Sequence, residues 1–568
     1  MAGRSAYKIN SDIVGKITAD ILKPDLPIPV ESMRAKSIHK LSIREKIGYA
    51  LGDGAANIAW RGVATFLFIF YTDVYGLSPA SVGLLMLIAR SGDGVSDVLM
   101  GIVGDRTQSK YGKFRPWILW TAIPLAISLS LLFTTPDLGP TGKLVYAYST
   151  YILFTLLYTA NNIPYGALMA VMTGDDKERT SLGAYRMVGA FAGGMLVQGA
   201  LFFLVAYFGN VNPAIDISRL ANETYRVTVM SETDVANAQI KTEDGIATFT
   251  PEGAEEPATR SVSFSMEADK TYAFIVEGEA NLTVADISLI NQKKGYGNAI
   301  YLMSVFLAFF MILTFVSTRE RVQPPKEQQS NLKTDFADLV RNRPWLVLLV
   351  IGLLFNVYNS IKQGITVIYF THYLHDQLLS ASYLIGLMLA SIAGAMATAP
   401  ISKRIGKKRL FIYALIFSGA VNALLIFCGP EDINAIFTLG LISELGASVF
   451  PTLFFAMLGD AADYSEYKNG RRATGLIYSA GSFATKFGGG VAGVIIGAIL
   501  AAFHYSGQDE VAIQGALPGI VMLMSWVPAI IAGITAAIML LYPLDQHKMD
   551  TITSELNDRR EKALAVDS

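Results

Sequence analysis

Runs of about twenty predominantly apolar residues recur along this chain. FLFIFYT closes one of them, and WILWTAIPLAISLSLLF fills most of another. A helix needs ~20 such residues to cross ~30 Å of hydrocarbon, so the chain is read as a polytopic membrane protein. Composition agrees: 52% of the 568 residues are hydrophobic and 16% are charged, against ~45–50% and ~25% in soluble domains. The net charge of −1 gives no sign of a nucleic-acid partner. Cys428 is the single cysteine, so no intrachain disulfide forms. Residues 1–45 are polar and lack an early apolar h-region. They read as a cytoplasmic tail, with the first span as the insertion signal.

Twelve spans are predicted, near 46–72, 80–103, 115–135, 143–172, 182–208, 296–317, 345–372, 380–401, 409–429, 433–458, 473–503 and 515–542. Lys and Arg set the orientation. DRTQSKYGKFR, SKRIGKKR and the connection at 318–344, with six basic residues, are placed in the cytoplasm with both termini. The expected organisation is a tail (1–45), a first six-helix bundle (46–208 and 296–317), the connection (318–344), a second bundle (345–543) and a C-terminal tail (544–568). The basic turns GDRTQSKYGKFRPW and SKRIGKKRLFIY fall at matching places in the two halves. They mark a distant repeat, or topology alone. Two six-helix halves about a pseudo-twofold axis give the major-facilitator architecture, with a midplane site between the halves.

Residues 209–295 stand apart. YRVTVMS, IATFT, RSVSFSM, YAFIVEG and NLTVADISLI alternate with period two between polar turns. That pattern predicts a small antiparallel β domain inserted on the outside between the fifth and sixth spans. It is read as an inert insertion, with substrate capture or partner binding as the alternative. Asn222 and Asn281 lie in N-x-T sequons, which matter only in a glycosylating host.

RSGDGVSDVLMG places Arg90, Asp93 and Asp97 within one span. Each charge costs ~2.5–3.5 kcal/mol or more at the bilayer centre, so intramembrane ionisable residues mark function by default. Positions three and four apart share a helix face, which puts all three on one stripe with one net negative charge. Na⁺ or H⁺ completes such a site: hard cations prefer oxygen ligands, and an isolated buried carboxylate takes a proton. The alternative is a structural Arg–Asp pair with the second Asp in a water cavity. Asp97, further from Arg90, is the expected primary ligand.

Lys486 in SFATKFGGGVAG is too deep to snorkel, and an acid on the second span is its simplest counter-ion. Arg186 in GAYRMVGAF either touches substrate or snorkels to the interface. Further polar side chains are Asp53, Asn57, Trp60 and Arg61 on the first span, Tyr158, Asn161, Asn162 and Tyr165 on the fourth, and Asn356, Tyr358, Asn359, Lys362 and Gln363 on the seventh. Singly each serves as helix-packing glue. Converging, they suit a sugar, whose hydroxyls take hydrogen bonds and whose ring stacks on aromatics.

The stretches KIGYALGDGAANIAW, FYTDVYGLSPASVGLLMLIARSGDGVSDVLMG, RTQSKYGKFRPWIL, LYTANNIPYGAL, RMVGAFAG, GDAADYSEYKNGRRATG and FATKFGGGVAG resemble the glycoside–pentoside–hexuronide:cation symporter family, the melibiose-carrier-like branch of the major facilitators. The resemblance covers most of the chain outside 1–40 and 209–295. It implies that Asp93 and Asp97 bind the cation with Thr159, as metal ligands if the ion is Na⁺. It implies that Tyr158 and Arg186 lie at the sugar and that Lys486 links the two sites. Asn57 and Asn162 stand where the melibiose carrier has sugar-binding carboxylates. Amides still donate and accept hydrogen bonds, but galactoside specificity does not carry over, and GDGAAN looks more like the pentoside and hexuronide branches.

The expected function is a secondary active symporter, coupling Na⁺ or H⁺ entry to uptake of a sugar by alternating access. The expected protein is a monomer of the inner (plasma) membrane, with no cofactor beyond the coupling ion. A lysolipid or amphiphile transporter of the same fold and a non-transporting glycan sensor are the competing readings. No nucleophile–base pair or metal-ligand cluster points to an enzyme.

Overall fold

The computed structural model describes residues 40–173, 176–221, 223–242, 247–253, 261–278, 281–321, 339–469 and 474–566. The tail over 1–39, most of the 318–344 connection and Asn222 lie outside the described residues. Helices dominate. The first half contains α1 (Ile43–Ile69), α2 (Pro79–Arg106), α3 (Arg115–Leu132), α4 (Pro140–Met172), α5 (Asp176–Gly209) and α6 (Gln292–Ser317). The second contains α7 (Arg343–Ile368), α8 (Gln377–Ile405), α9 (Lys407–Ala423), α10 (Ile433–Ala447), α11 (Val449–Asn469), α12 (Thr474–Ala502), α13 (Glu510–Met524) and α14 (Trp526–Met539). A last helix, α15 (Gln546–Val566), occupies the C-terminal tail.

Local chemistry sets the helix starts. Ser42 and Glu45 form a reciprocal capping box at α1, each accepting the other's backbone N–H at 3.3 Å. Ser78 caps α2 just ahead of Pro79, and Asn342 caps α7 by accepting the Trp345 N–H at 3.1 Å. Two expected spans are interrupted. The one near 433–458 breaks at Ser448 between α10 and α11, and the one near 515–542 breaks at Ser525 between α13 and α14.

Among the described residues, nine helical stretches are long and apolar enough to cross a membrane. The chain is an integral membrane protein. α1, α2 and α4 are long but fall outside that set. They are the helices that carry Asp53, Arg61, Arg90, Asp93, Asp97 and the paired asparagines of α4. The outer surface is apolar: Phe427, Met396 and Val188 are 79%, 74% and 69% exposed. In water so much exposed apolar surface is anomalous; in lipid it is the ordinary boundary.

The halves meet along α2–α12, α1–α7 and α5–α8. Small residues make the closest approaches, as expected where helices have no hydrophobic drive to associate. Gly490, Gly493 and Gly497 of α12 all face α2. A Cβ at Gly493 would strike Met86, and one at Gly497 would strike the Pro79 carbonyl. Within the first half, Gly189 and Gly193 of α5 lie against the Ala50 and Gly54 carbonyls of α1 in the same manner.

The repeat between halves extends into fine detail. α1 ends in a π-helical turn, Phe70–Val74, and α7 ends in another, Tyr369–Tyr373. Each turn is followed by a residue with positive φ, Gly76 at 78° and His375 at 57°, before the next helix begins. Asp73 and His372 thus occupy equivalent positions in FYTDV and YFTHY.

Residues 210–291 form two four-stranded antiparallel sheets, β1-β8-β4-β6 and β2-β3-β7-β5. The strands are β1 (Asn210–Val211), β2 (Ala214–Ala221), β3 (Thr224–Met230), β4 (Val235–Thr242), β5 (Thr248–Pro251), β6 (Ser261–Met266), β7 (Thr271–Glu277) and β8 (Ile287–Asn291). They enclose their own core of Val227, Val229, Phe249, Phe274, Val276 and Leu289. The alternating runs fall on β3, β5, β6, β7 and β8. The pattern missed β2, an edge strand with little buried surface, and β4, whose register shifts between Val235 and Ala238. β1 and β8 pair Asn210 with Ile290, so entry and exit lie side by side.

That adjacency predicts a clean excision. Replacing 212–288 by a short Gly/Ser linker closes a small gap, and loop-closure entropy changes only slowly with length. The shortened chain should insert, purify as a single species and keep the sugar uptake that the sequence resemblance leads us to expect. Uptake lost from a normally inserted deletion variant would instead assign the sheets a working role.

Candidate functional site

The α2 stripe folds as the sequence spacing requires, and it divides its charges. The Arg90 Nη1 donates to Asp93 Oδ2 at 3.0 Å, both residues buried. The same guanidinium lies 4.0 Å from the Trp60 ring centre, a desolvated cation–π contact. Asp97 lies one turn on and points elsewhere. Thr159 of α4 donates to its Oδ1 at 3.1 Å, and the Lys486 ammonium of α12 meets its Oδ2 directly. Asp93, Asp97, Thr159 and Lys486 therefore converge where the two halves touch.

A second pair joins α5 to α1. Arg186 Nε approaches Asp53 Oδ2 at 3.4 Å, with its guanidinium 5.4 Å from the Tyr165 ring centre. Asn57 donates to the Asp53 carbonyl at 2.9 Å. The glycine contacts of α1 with α5 and of α2 with α12 hold these pairs in register.

Two chambers lie between the halves. The first, about 280 Å³, is lined by Asn57, Trp60, Arg61, Arg90, Asn356 and Lys486 among others. The second, about 310 Å³, is lined on its polar side by Arg61, Gln198, Lys362, Ser391 and Glu444 and on its apolar side by Met187, Phe191, Leu384 and Leu387. Arg61, Asn359 and Gln363 belong to both walls. The chambers are neighbours, with α1 and α7 side chains at their junction.

Asn57 and Lys486 thus sit in a chamber wall as well as in their polar contacts. Tyr158, Asn162 and Arg186 do not line either chamber in this conformation. Tyr158 packs on Trp60 with ring centres 5.4 Å apart, Asn162 is half-buried, and Arg186 is drawn to Asp53. Of the two amides on α4, Asn161 is the buried one, donating to Thr121 at 2.8 Å. A metal centre of three or more His, Cys, Asp or Glu is absent among the described residues. An ion between Asp93 and Asp97 would draw on these two carboxylates and the Thr159 hydroxyl.

Sequence reasoning missed Glu444. It lies in LGLISELGA, a lone acid in an apolar run, and that isolation is the signal that could have found it. Lys362 Nζ approaches Glu444 Oε2 at 3.4 Å, and Ser391 donates to Oε1 at 2.5 Å. Also missed was a junction at one end of the bundle. His372 Nε2 lies 2.7 Å from Asp73 Oδ2, and Tyr505 donates to Asp73 Oδ1 at 2.7 Å. Asp73 comes from the first half, His372 and Tyr505 from the second, so these contacts bind the halves together there. Gln292 at the start of α6 donates to Gln239 of β4 beside this junction.

The chain matches known proteins along nearly its whole length. The profile of the family described as MFS/sugar transport protein matches residues 48–233 and 268–546. The isoprimeverose transporter of Lactiplantibacillus pentosus is 30% identical over 539 residues, 94% of this chain and 96% of that protein. The inner membrane symporter YicJ of Escherichia coli (strain K12) is 30% identical over 527 residues, 91% of this chain and 95% of its own. Among solved structures, a bacterial homolog of the human lysosomal transporter Spinster superposes with a TM-score of 0.59 at 11% identity, over 88% of this chain and 96% of that one. That likeness is one of fold.

The Asp73–His372–Tyr505 junction predicts a conformational shift on substitution. Asp73→Asn weakens hydrogen bonds to a charged group, each worth ~1.5–3 kcal/mol. The balance should move about tenfold or more toward opening at this end. In a Cys428→Ser background, a cysteine at Asn359 should then react faster with a membrane-impermeant thiol reagent applied from the junction side. An unchanged rate in the Asp73→Asn variant would mean that the junction holds nothing shut.

Proposed function

The chain belongs to the MFS/sugar transport protein family, and from that premise we propose that it is a secondary active symporter coupling Na⁺ or H⁺ entry to uptake of a glycoside, pentoside or hexuronide by alternating access. It is a sugar transporter and not an enzyme, as its family and relatives are. We count twelve spans in the proposal, taking charged α1, α2 and α4 as spans beside the more apolar stretches. Both termini face the cytoplasm, the membrane is the inner (plasma) membrane, the working unit is a monomer, and the Asp73–His372 end with its sheets faces outward.

One observation carries the coupling mechanism: Asp97 is shared between Thr159 of the first half and Lys486 of the second. The ammonium occupies the place of a monovalent cation beside this carboxylate. When Na⁺ or H⁺ arrives at Asp97, with Asp93 and Thr159 at hand, Lys486 loses its partner. The freed ammonium already lines the first chamber, where a sugar hydroxyl offers it an acceptor. Cation and sugar binding then strengthen each other, and the coupling is reciprocal. Leaving Lys486 buried and unpaired costs several kcal/mol, which disfavours the state with cation and no sugar.

Asn57 supplies an amide to the sugar from the chamber wall. Tyr158, Asn162 and Arg186 stand behind that wall, and we assign them to the sugar site in the state where α1, α4 and α5 shift during the cycle. The lysolipid reading is favoured by one feature, the apolar side of the second chamber. The polar, charged first chamber disfavours it. A glycan sensor predicts binding without flux, which proteoliposome uptake distinguishes.

Two substitutions test the reading. Asp97→Asn keeps the size and removes the charge. It should reduce the accumulation ratio under an imposed cation gradient to about one, while sugar binding and exchange persist. Gradient-driven accumulation at the wild-type level would exclude Asp97 from the cation site. Arg186→Lys keeps the charge and loses the planar fork. It should weaken sugar binding about tenfold or more; binding at the wild-type level would leave Arg186 as a structural partner of Asp53 alone.

A further inference from the structure

The buried charges around the two chambers do not balance. Around them lie four acids, Asp53, Asp93, Asp97 and Glu444, and five bases, Arg61, Arg90, Arg186, Lys362 and Lys486, of which Glu444, Arg61, Arg90, Lys362 and Lys486 stand in a chamber wall. Arg90 pairs with Asp93, Arg186 with Asp53, Lys486 with Asp97 and Lys362 with Glu444. Arg61 is left over. Among the described residues it is the base lining these chambers that has no carboxylate within ion-pair distance. Glu444 acts on it electrostatically, but that carboxylate is already held by Lys362 and Ser391.

The position of Arg61 matters as much as its charge. It stands at the junction, in the wall of both chambers, beside the neutral amides of Asn359 and Gln363. Its five N–H donors form a rigid fork that fits a carboxylate in two parallel hydrogen bonds. An uncompensated guanidinium near the bilayer midplane is expensive, and the surplus charge is relieved when an anion enters. The amides beside it both donate and accept, which suits hydroxyls rather than charge.

Resting on the symporter reading above, we infer that the substrate carries a carboxylate: it is a glycoside of a uronic acid, seated so that this carboxylate meets Arg61 where the chambers join. Asn359 and Gln363 then take ring hydroxyls on either side, and Asn57 and Trp60 receive the neutral portion in the first chamber. Arg61 is the specificity-determining residue that separates acidic from neutral sugars.

The test compares matched pairs that differ only at C6: methyl β-D-glucuronide with methyl β-D-glucoside, and methyl α-D-galacturonide with methyl α-D-galactoside. Binding is measured by titration calorimetry on the purified full chain with the coupling cation present, and uptake in proteoliposomes. The wild type should bind the acidic member of at least one pair about tenfold or more tightly than its neutral partner, as a charge-assisted bidentate contact provides. Arg61→Gln should abolish that preference. Arg61→Lys, with charge and no fork, should fall between the two. The wild-type comparison stands even where a variant fails to fold. Neutral glycosides bound and accumulated as well as uronides, or a preference that survives Arg61→Gln, would overturn this inference and leave the symporter reading in place. Failure of the wild type to bind or accumulate any of the four, or methyl β-D-xyloside, would overturn both.

Discussion

The contact between Lys486 and Asp97 is the interaction on which the rest of the site depends. Neither charge survives alone in hydrocarbon, so each half of the protein carries a group that the other must neutralise. The helices are built to allow it. Gly490, Gly493 and Gly497 strip α12 of side chains along the line that faces α2, and the backbones close until ammonium and carboxylate touch. A bulkier residue there would separate the halves and strand both charges. The seam between halves is thus bridged by an ion pair as well as by packing.

A contact of this kind suits a moving part because its partner is replaceable. Asp93 is committed to Arg90 on its own helix, and that pair travels as a unit. Asp97 is committed to nothing on its own helix and draws on α4 and α12 instead. In the mechanism we propose, a cation competing for Asp97 would therefore change the bond between the halves, while one competing for Asp93 would change only α2. The Asp53–Arg186 pair joins α5 to α1 within the first half, where Gly189 and Gly193 let the two backbones approach closely.

The pseudo-twofold repeat explains the junction at the far end of the bundle. The two π-helical turns place Asp73 and His372 at equivalent points at the ends of α1 and α7, and the packing of the halves brings these two points together. An acid at that position in one half and an imidazole in the other make the apposition a polar contact. β4 reaches this junction through Gln239, so the sheets rest against it while keeping a separate core.

The sequence alone determined everything that depends on local periodicity. Apolar length marked the spans, alternation marked five of the eight strands, and the three- and four-residue spacing put Arg90, Asp93 and Asp97 on one stripe. These follow from chain geometry, which is the same in any fold. The depth of Lys486 was likewise legible, because an ammonium in the middle of an apolar run must find an acid. What the tertiary structure decided is which groups from distant segments share a space. Glu444 beside Lys362, His372 beside Asp73, and Arg61 between two chambers without an ion-pair partner all depend on how α1, α7 and α10 cross. No local pattern encodes those crossings. Tyr158, Asn162 and Arg186 lie on the expected helices, yet they stand behind the chamber wall, Tyr158 packed on Trp60 and Arg186 drawn to Asp53. Helix identity is written in spacing; the direction each polar side chain faces is set by the small residues and opposite charges that its neighbours present.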